Sequence, residues 1–164
     1  MSNTINIIGD KNSMVETPYE LIEQTIDKVK NILENHFPDF ISFENGSFTI
    51  NRGSTQVMVV VRPFTEDDTC VECFANVVTG ASISNELLRF LLRKNAELHF
   101  GSFGLLFDDT ITFSNSLSGI NIDANELKTT LNAIAVIADY YDDIIVEMAG
   151  GKRAADLVED FEQN

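Results

Sequence analysis

The chain is 164 residues long and 44% apolar, with twelve Phe, enough to offset chain entropy and to exclude wholesale disorder. Eleven basic against 26 acidic side chains give a net charge of −15, a field that repels phosphate backbones and anionic lipid, so neither nucleic acid nor membrane is an expected partner. No run reaches the ~20 apolar residues of a membrane span, the polar start Met1-Ser-Asn-Thr-Ile lacks the features of a secretion signal, and two cysteines three positions apart cannot staple a domain, so a reducing, cytoplasmic setting is expected.

The length fits one domain, predicted over residues 17–151, with 1–16 a flexible N-terminal arm and 152–164 an acidic C-terminal tail able to form a short helix. Thr17-Pro18-Tyr19-Glu20 combines an N-cap, a first-turn proline and an N3 glutamate, so the first helix is predicted from there. Its apolar face is Ile22, Ile26, Val29 and Leu33, its polar face Glu23, Asp27, Lys30 and Glu34, and Phe37-Pro38 ends it. From Phe40 to Gly80 β-branched and aromatic runs predict strands near 47–51, 55–63 and 70–78, with Phe40–Phe43 extending the first. Val57–Val61 does not alternate, so that strand is expected to be central and covered on both faces. Short turns make the meander antiparallel, and Asn45-Gly46-Ser47, although it matches a glycosylation sequon, reads as one of them.

Ser82 or Ser84 caps a second helix running to about Leu98, after which 100–107 and 110–113 flank Asp108-Asp109 as a hairpin. Asp123-Ala-Asn-Glu126 is a capping box opening a long helix to about Ala149, stopped by Gly150-Gly151. The predicted order is α-β-β-β-α-β-β-α.

Residues able to carry chemistry do not converge. Cys70 and Cys73 lie in one strand at an odd spacing that points them to opposite faces, so they cannot share a metal, and two small packed side chains are the better account. His36 falls in the last turn of the first helix, where it suits the carbonyl end of the helix dipole, and His99 is expected to begin a strand. No nucleophile elbow or zinc-helix motif is present, and Gly101-Ser-Phe-Gly104 lacks the Lys-Ser/Thr and helix of a phosphate loop. Asp139, Asp143 and Glu147 form a solvated helix face. No catalytic, cofactor-binding or metal-binding residue is therefore assigned, and the chain is read as not an enzyme.

Surplus apolar surface is more informative. In the second helix Leu87, Leu88, Leu91 and Leu92 form the core stripe, while Ile83 and Phe90 sit about a third of a turn away among Arg89, Arg93 and Lys94. The long helix has a core stripe of Leu127, Leu131, Ile134, Ala138, Tyr141 and Ile145, widened by Ile137, Tyr140 and Ile144. Either helix packs on helix within one subunit, or these flanks bind another chain. On the second reading Ile83, Phe90, Arg93, Ile137, Tyr140 and Ile144 are the protein-binding residues, with Phe90 at a contact with a second chain.

Leu91-Leu-Arg-Lys-Asn95-Ala-Glu-Leu98, Phe100-Gly-Ser-Phe103-Gly, Leu117-Ser-Gly119, Glu126-Leu127, Ala138-Asp139-Tyr140-Tyr141-Asp142 and Gly150-Gly151 resemble the YbjN-like bacterial family. The first half agrees in its order of helix and strands. The resemblance implies a type III secretion chaperone-like fold, with helices on one side of an antiparallel sheet and usually a dimer, and with the predicted elements the fold expected is an α+β domain with an antiparallel, five-stranded sheet and helices mainly on one face. It brings no catalytic residues. The function expected is a non-enzymatic protein-binding module, chaperone-like or adaptor, a homodimer holding a partner segment through apolar grooves. The alternatives are a small-molecule-sensing regulatory domain and, third, an unrecognised enzyme.

Overall fold

The structure of the chain, a computed structural model, describes residues 4–6 and 14–157. In chain order its elements are β1 (Thr4–Asn6), β2 (Met14–Glu16), α1 (Tyr19–His36), β3 (Ile41–Ser42), β4 (Ser47–Arg52), β5 (Thr55–Pro63), β6 (Thr69–Thr79), α2 (Asn85–Glu97), β7 (Ser102–Leu105), β8 (Ile111–Ser118), α3 (Ala124–Ala149) and β9 (Lys152–Arg153). With the short strands β1, β2, β3 and β9 set aside, the order is the expected α-β-β-β-α-β-β-α. β1 and β2 pair antiparallel with each other, Ile5 opposite Val15, and stand apart from the main sheet. The rest of the arm expected over 1–16, and tail residues 158–164, lie outside the described residues.

The main sheet has seven strands in the order β3-β4-β5-β6-β8-β7, with β9 paired to β6, rather than the five expected. Both additions, β3 and β9, are two residues long, too short to leave an alternating pattern in sequence. Residues 40–43 do not extend the first strand. Ile41 and Ser42 instead fold back onto β4, opposite Thr49 and Phe48, across a turn in which the Asn45 side chain accepts from the Ser47 N–H and hydroxyl. The tail begins not as helix but as β9, with Lys152 opposite Thr79 and Arg153 opposite Val78, and becomes helical from Ala154.

The chain forms two compact units. The first takes the described residues up to Ile50 with Met58–Glu72 and Ser116–Lys128; the second takes Asn51–Val57, Cys73–Asn115 and the described residues from Thr129 onward.

In the first unit α1 buries Ile22, Val29 and Leu33 of the face its spacing predicts, together with Thr25 and Ile32, while Ile26 is only half-buried. Thr25 meets Thr69 of β6 by a buried hydroxyl–hydroxyl bond of 2.8 Å, which fixes the helix over the buried face of that strand. Thr17 does not cap α1: the N-cap is Pro18, with no side-chain cap bond. The Thr17 hydroxyl is spent elsewhere, donating to the Thr65 carbonyl (2.7 Å) and accepting from the Phe64 N–H (2.8 Å). Asp68 ties the turn before β6 to the end of β8, accepting from the N–H groups of Thr69 and Ile120 and from the Ser118 hydroxyl. Burial raises its pKa, but those bonds together hold the carboxyl below the usual range.

β5 does alternate, contrary to the two-sided burial expected: Val57 and Val59 are buried, while Met58 and Val60 are half-buried. Valine suits a half-covered pleated face as well as a core, so a run of valines does not demand burial on both sides. β6 repeats the pattern, with Val71, Cys73, Ala75 and Val77 inward.

The starts of α2 and α3 are capped as predicted. Ser84 accepts from the Leu87 N–H, and Asp123 and Glu126, at the α3 start that the first unit supplies, exchange reciprocal backbone bonds of 2.8 and 3.2 Å. Gly150 and Gly151 both adopt left-handed backbone after α3, with φ of 71° and 87°.

Candidate functional site

In the second unit one of the sequence-predicted residues of α2, Phe90, meets α3, at Tyr141 of the core stripe. The Ser82 N–H donates to the Ala149 carbonyl at 2.8 Å, and the Phe90 ring lies 6.3 Å from Tyr141. The two helices therefore run antiparallel, along a seam that Phe90 and Tyr141 join. Ile83, which precedes the α2 N-cap, Phe90, Ile137 and Ile144 are half-buried, and Tyr140 is 65% exposed. Phe90 is thus shared between the subunit's own packing and its surface: Tyr141 meets one side of it, and the Lys94 ammonium lies 5.7 Å from its ring centre. Tyr141 also stacks edge-on against Phe103 (5.3 Å) and Tyr140 (5.0 Å), so one aromatic chain runs from the core to the surface. Arg93 is exposed beside it.

Leu88 and Leu92 are not core residues. Leu87 and Leu91 are buried, but Leu92 is 72% exposed and Leu88 is exposed as well. Helical spacing set the centre of the buried stripe correctly and made it too wide. Of the acidic α3 face, Asp139 accepts from Ser54 (3.2 Å) and Asp143 from Arg153 (3.2 Å), so two of its three carboxylates already have partners within the chain.

At the sheet's end, the Asn95 side chain of α2 takes both backbone groups of Phe103 in β7. Its carbonyl oxygen accepts from the Phe103 N–H at 2.7 Å, and its amide donates to the Phe103 carbonyl at 3.2 Å. Those are the two groups a neighbouring strand would use.

The first unit holds a groove that the sequence did not reveal. It has a volume of about 660 Å³ and lies between α1 and the β3–β4 turn, with Ile26, Phe43, Phe48 and Val61 supplying apolar wall and Glu23, Asp27 and Glu44 on its rim. Gly46 lets the turn approach: its φ is +75°, and a Cβ there would come within 2.6 Å of Ile26 Cδ1. Tyr19 and Phe43 stand open at the mouth. The Tyr19 phenol is bonded to Glu23, whose acceptor and charge push its pKa up.

The remaining candidates stay apart. Cys70 is half-buried and Cys73 buried on opposite faces of β6; burial pushes the Cys70 thiol up, and its bond to Ser116 only partly opposes this. His36 closes α1 as expected, whereas His99 lies in the bend before β7 rather than in a strand. Gly101 to Gly104 runs straight into β7. Among the described residues no group of three His, Cys, Asp or Glu is placed to hold a metal, and no helix is long and apolar enough to cross a membrane.

Solved structures share this fold of an antiparallel sheet with helices packed on it. The chain is similar to a chain of the ExsC–ExsE complex, with a TM-score of 0.57 at 13% identity over 76% of this chain and 96% of that one. It is also similar to a chain of the HopA1–SchA chaperone–effector complex, with a TM-score of 0.55 at 8% identity over 75% of this chain and 94% of that one. Residues 20–157 match TY-Chap1, described as type III secretion (YopN, CesT) and YbjN peptide-binding chaperone 1, and the chain belongs to that family. No curated protein matches the chain.

Proposed function

We propose that the protein is a non-enzymatic, cytoplasmic peptide-binding chaperone or adaptor that holds an extended segment of a client protein in the groove between α1 and the β3–β4 turn. Membership of the peptide-binding family over residues 20–157 carries this reading. The groove supports it: an open trough in which Ile26, Phe43, Phe48 and Val61 lie among polar and charged side chains suits a chain crossing it better than a small ligand enclosed within it. The α2–α3 surface, with Ile83, Phe90, Arg93, Ile137, Tyr140 and Ile144, serves a second role as the contact with another copy of the chain. Its exposed tyrosine and flanking arginines have the composition of an interface centre.

Site-specific photo-crosslinking tests the location. A photoreactive residue in place of Phe43 should capture one contiguous client segment, identified by mass spectrometry of the adduct, whereas the same residue in place of the exposed Phe107 should not. Client adducts at Phe107 and none at Phe43 would remove the groove from the proposal.

A further inference from the structure

The rim of the α1 groove is acidic on balance, with three carboxylates against one ammonium, Lys30. Glu23 and Asp27 project from α1 one turn apart, and Glu44 stands on the opposing turn. Among the described residues none of these three carboxylates is in an ion pair, although Lys30 shares the lining. All three are exposed, and Glu23 also accepts from the Tyr19 phenol at the mouth. Beneath them the wall is Ile26, Phe43, Phe48 and Val61.

From this arrangement we infer that the groove selects extended client segments in which lysine or arginine side chains flank apolar ones. The inference rests on the peptide-binding reading of the same groove and adds the chemistry of the segment. Apolar side chains of such a segment enter the trough, and alternate residues of an extended chain point the other way, towards the rim. Lysine and arginine suit those positions because their aliphatic stems cover Tyr19 and Phe43 while their charged ends reach Glu23, Asp27 and Glu44. An acidic segment of equal apolarity meets like charge there, on a chain whose net charge is already −15. The same field speeds capture of a basic segment and slows that of an acidic one.

Two fluorescein-labelled peptides test this. They share one alternating apolar pattern, with lysines between the apolar residues in one and glutamates in the other, and binding is read by anisotropy. The lysine peptide should bind wild-type protein about tenfold tighter at low ionic strength, a gap that narrows as salt screens the exposed rim. Glu23→Lys with Asp27→Lys should reverse the preference with the circular dichroism spectrum unchanged, while Glu34→Lys, on α1 but outside the groove, should leave it intact. Equal affinities for the two peptides overturn the charge selection and leave peptide binding standing. A preference lost equally in Glu34→Lys assigns it to the general field of the protein and overturns the role of the groove. No binding of either peptide at micromolar concentration overturns both the inference and the reading on which it rests.

Discussion

Asp142 is the one charged residue type buried in the body of α3, and it carries a cost that its neighbours do not remove. Burial is the main cause of its raised pKa; the Asp143 N–H bond and the Arg153 charge oppose the shift, and the Asp143 and Asp139 charges add to it. A carboxyl whose folded pKa exceeds its unfolded value favours folding only while protonated, and that contribution is lost as pH rises through the folded pKa. At neutral pH the ionised group therefore opposes the fold. Asp142→Asn keeps an acceptor for the Asp143 N–H and removes the charge, so its melting temperature should exceed that of wild type at pH 7. The gain should vanish below the ordinary carboxyl range, about pH 4, where both states of wild type are protonated. Thermal melts at the two pH values check this, and a destabilised variant at pH 7 would show that the carboxylate is held as an anion for another purpose.

The elements divide by how much of their cause is local. The starts of α2 and α3 were legible because a cap is a property of four adjacent residues, as in Asp123 to Glu126. Thr17 misled because the same hydroxyl that can cap a helix can also bond a distant turn, and the competing partner, Thr65, is invisible in the local pattern. The groove is built by α1 and a turn whose approach depends on Gly46, and no periodicity spans them. β7 shows the same limit. Asn95 sits in a helix and acts on a strand, filling one rung of an end-strand ladder that would otherwise invite another chain. Asn95→Ala should leave α2 in place while the Phe103 amide loses its protection in native-state hydrogen exchange, and concentration-dependent association should rise. Unchanged exchange at Phe103 would show that its N–H has another acceptor.

For the whole molecule, the surface that joins two copies and the surface that holds a client are proposed at different places, and single variants can separate them. Tyr140→Asp alters an exposed residue and should weaken self-association by about 2 kcal/mol, the range of interface anchors, with the circular dichroism spectrum intact. Phe90→Asp places a charge against Tyr141 and should lose stability as well as association. Light scattering that reports a monomer for wild type at micromolar concentration, or unchanged association in Tyr140→Asp, would withdraw the α2–α3 surface as a dimer contact.

Each compact unit is assembled from separated stretches of chain: the first needs Ser116–Lys128 as well as the residues before Ile50, and the second begins at Asn51. On a ribosome, residues synthesised first must therefore wait for residue 128 to leave the exit tunnel before their unit can close. No truncation at a single point releases either unit free of the other's residues.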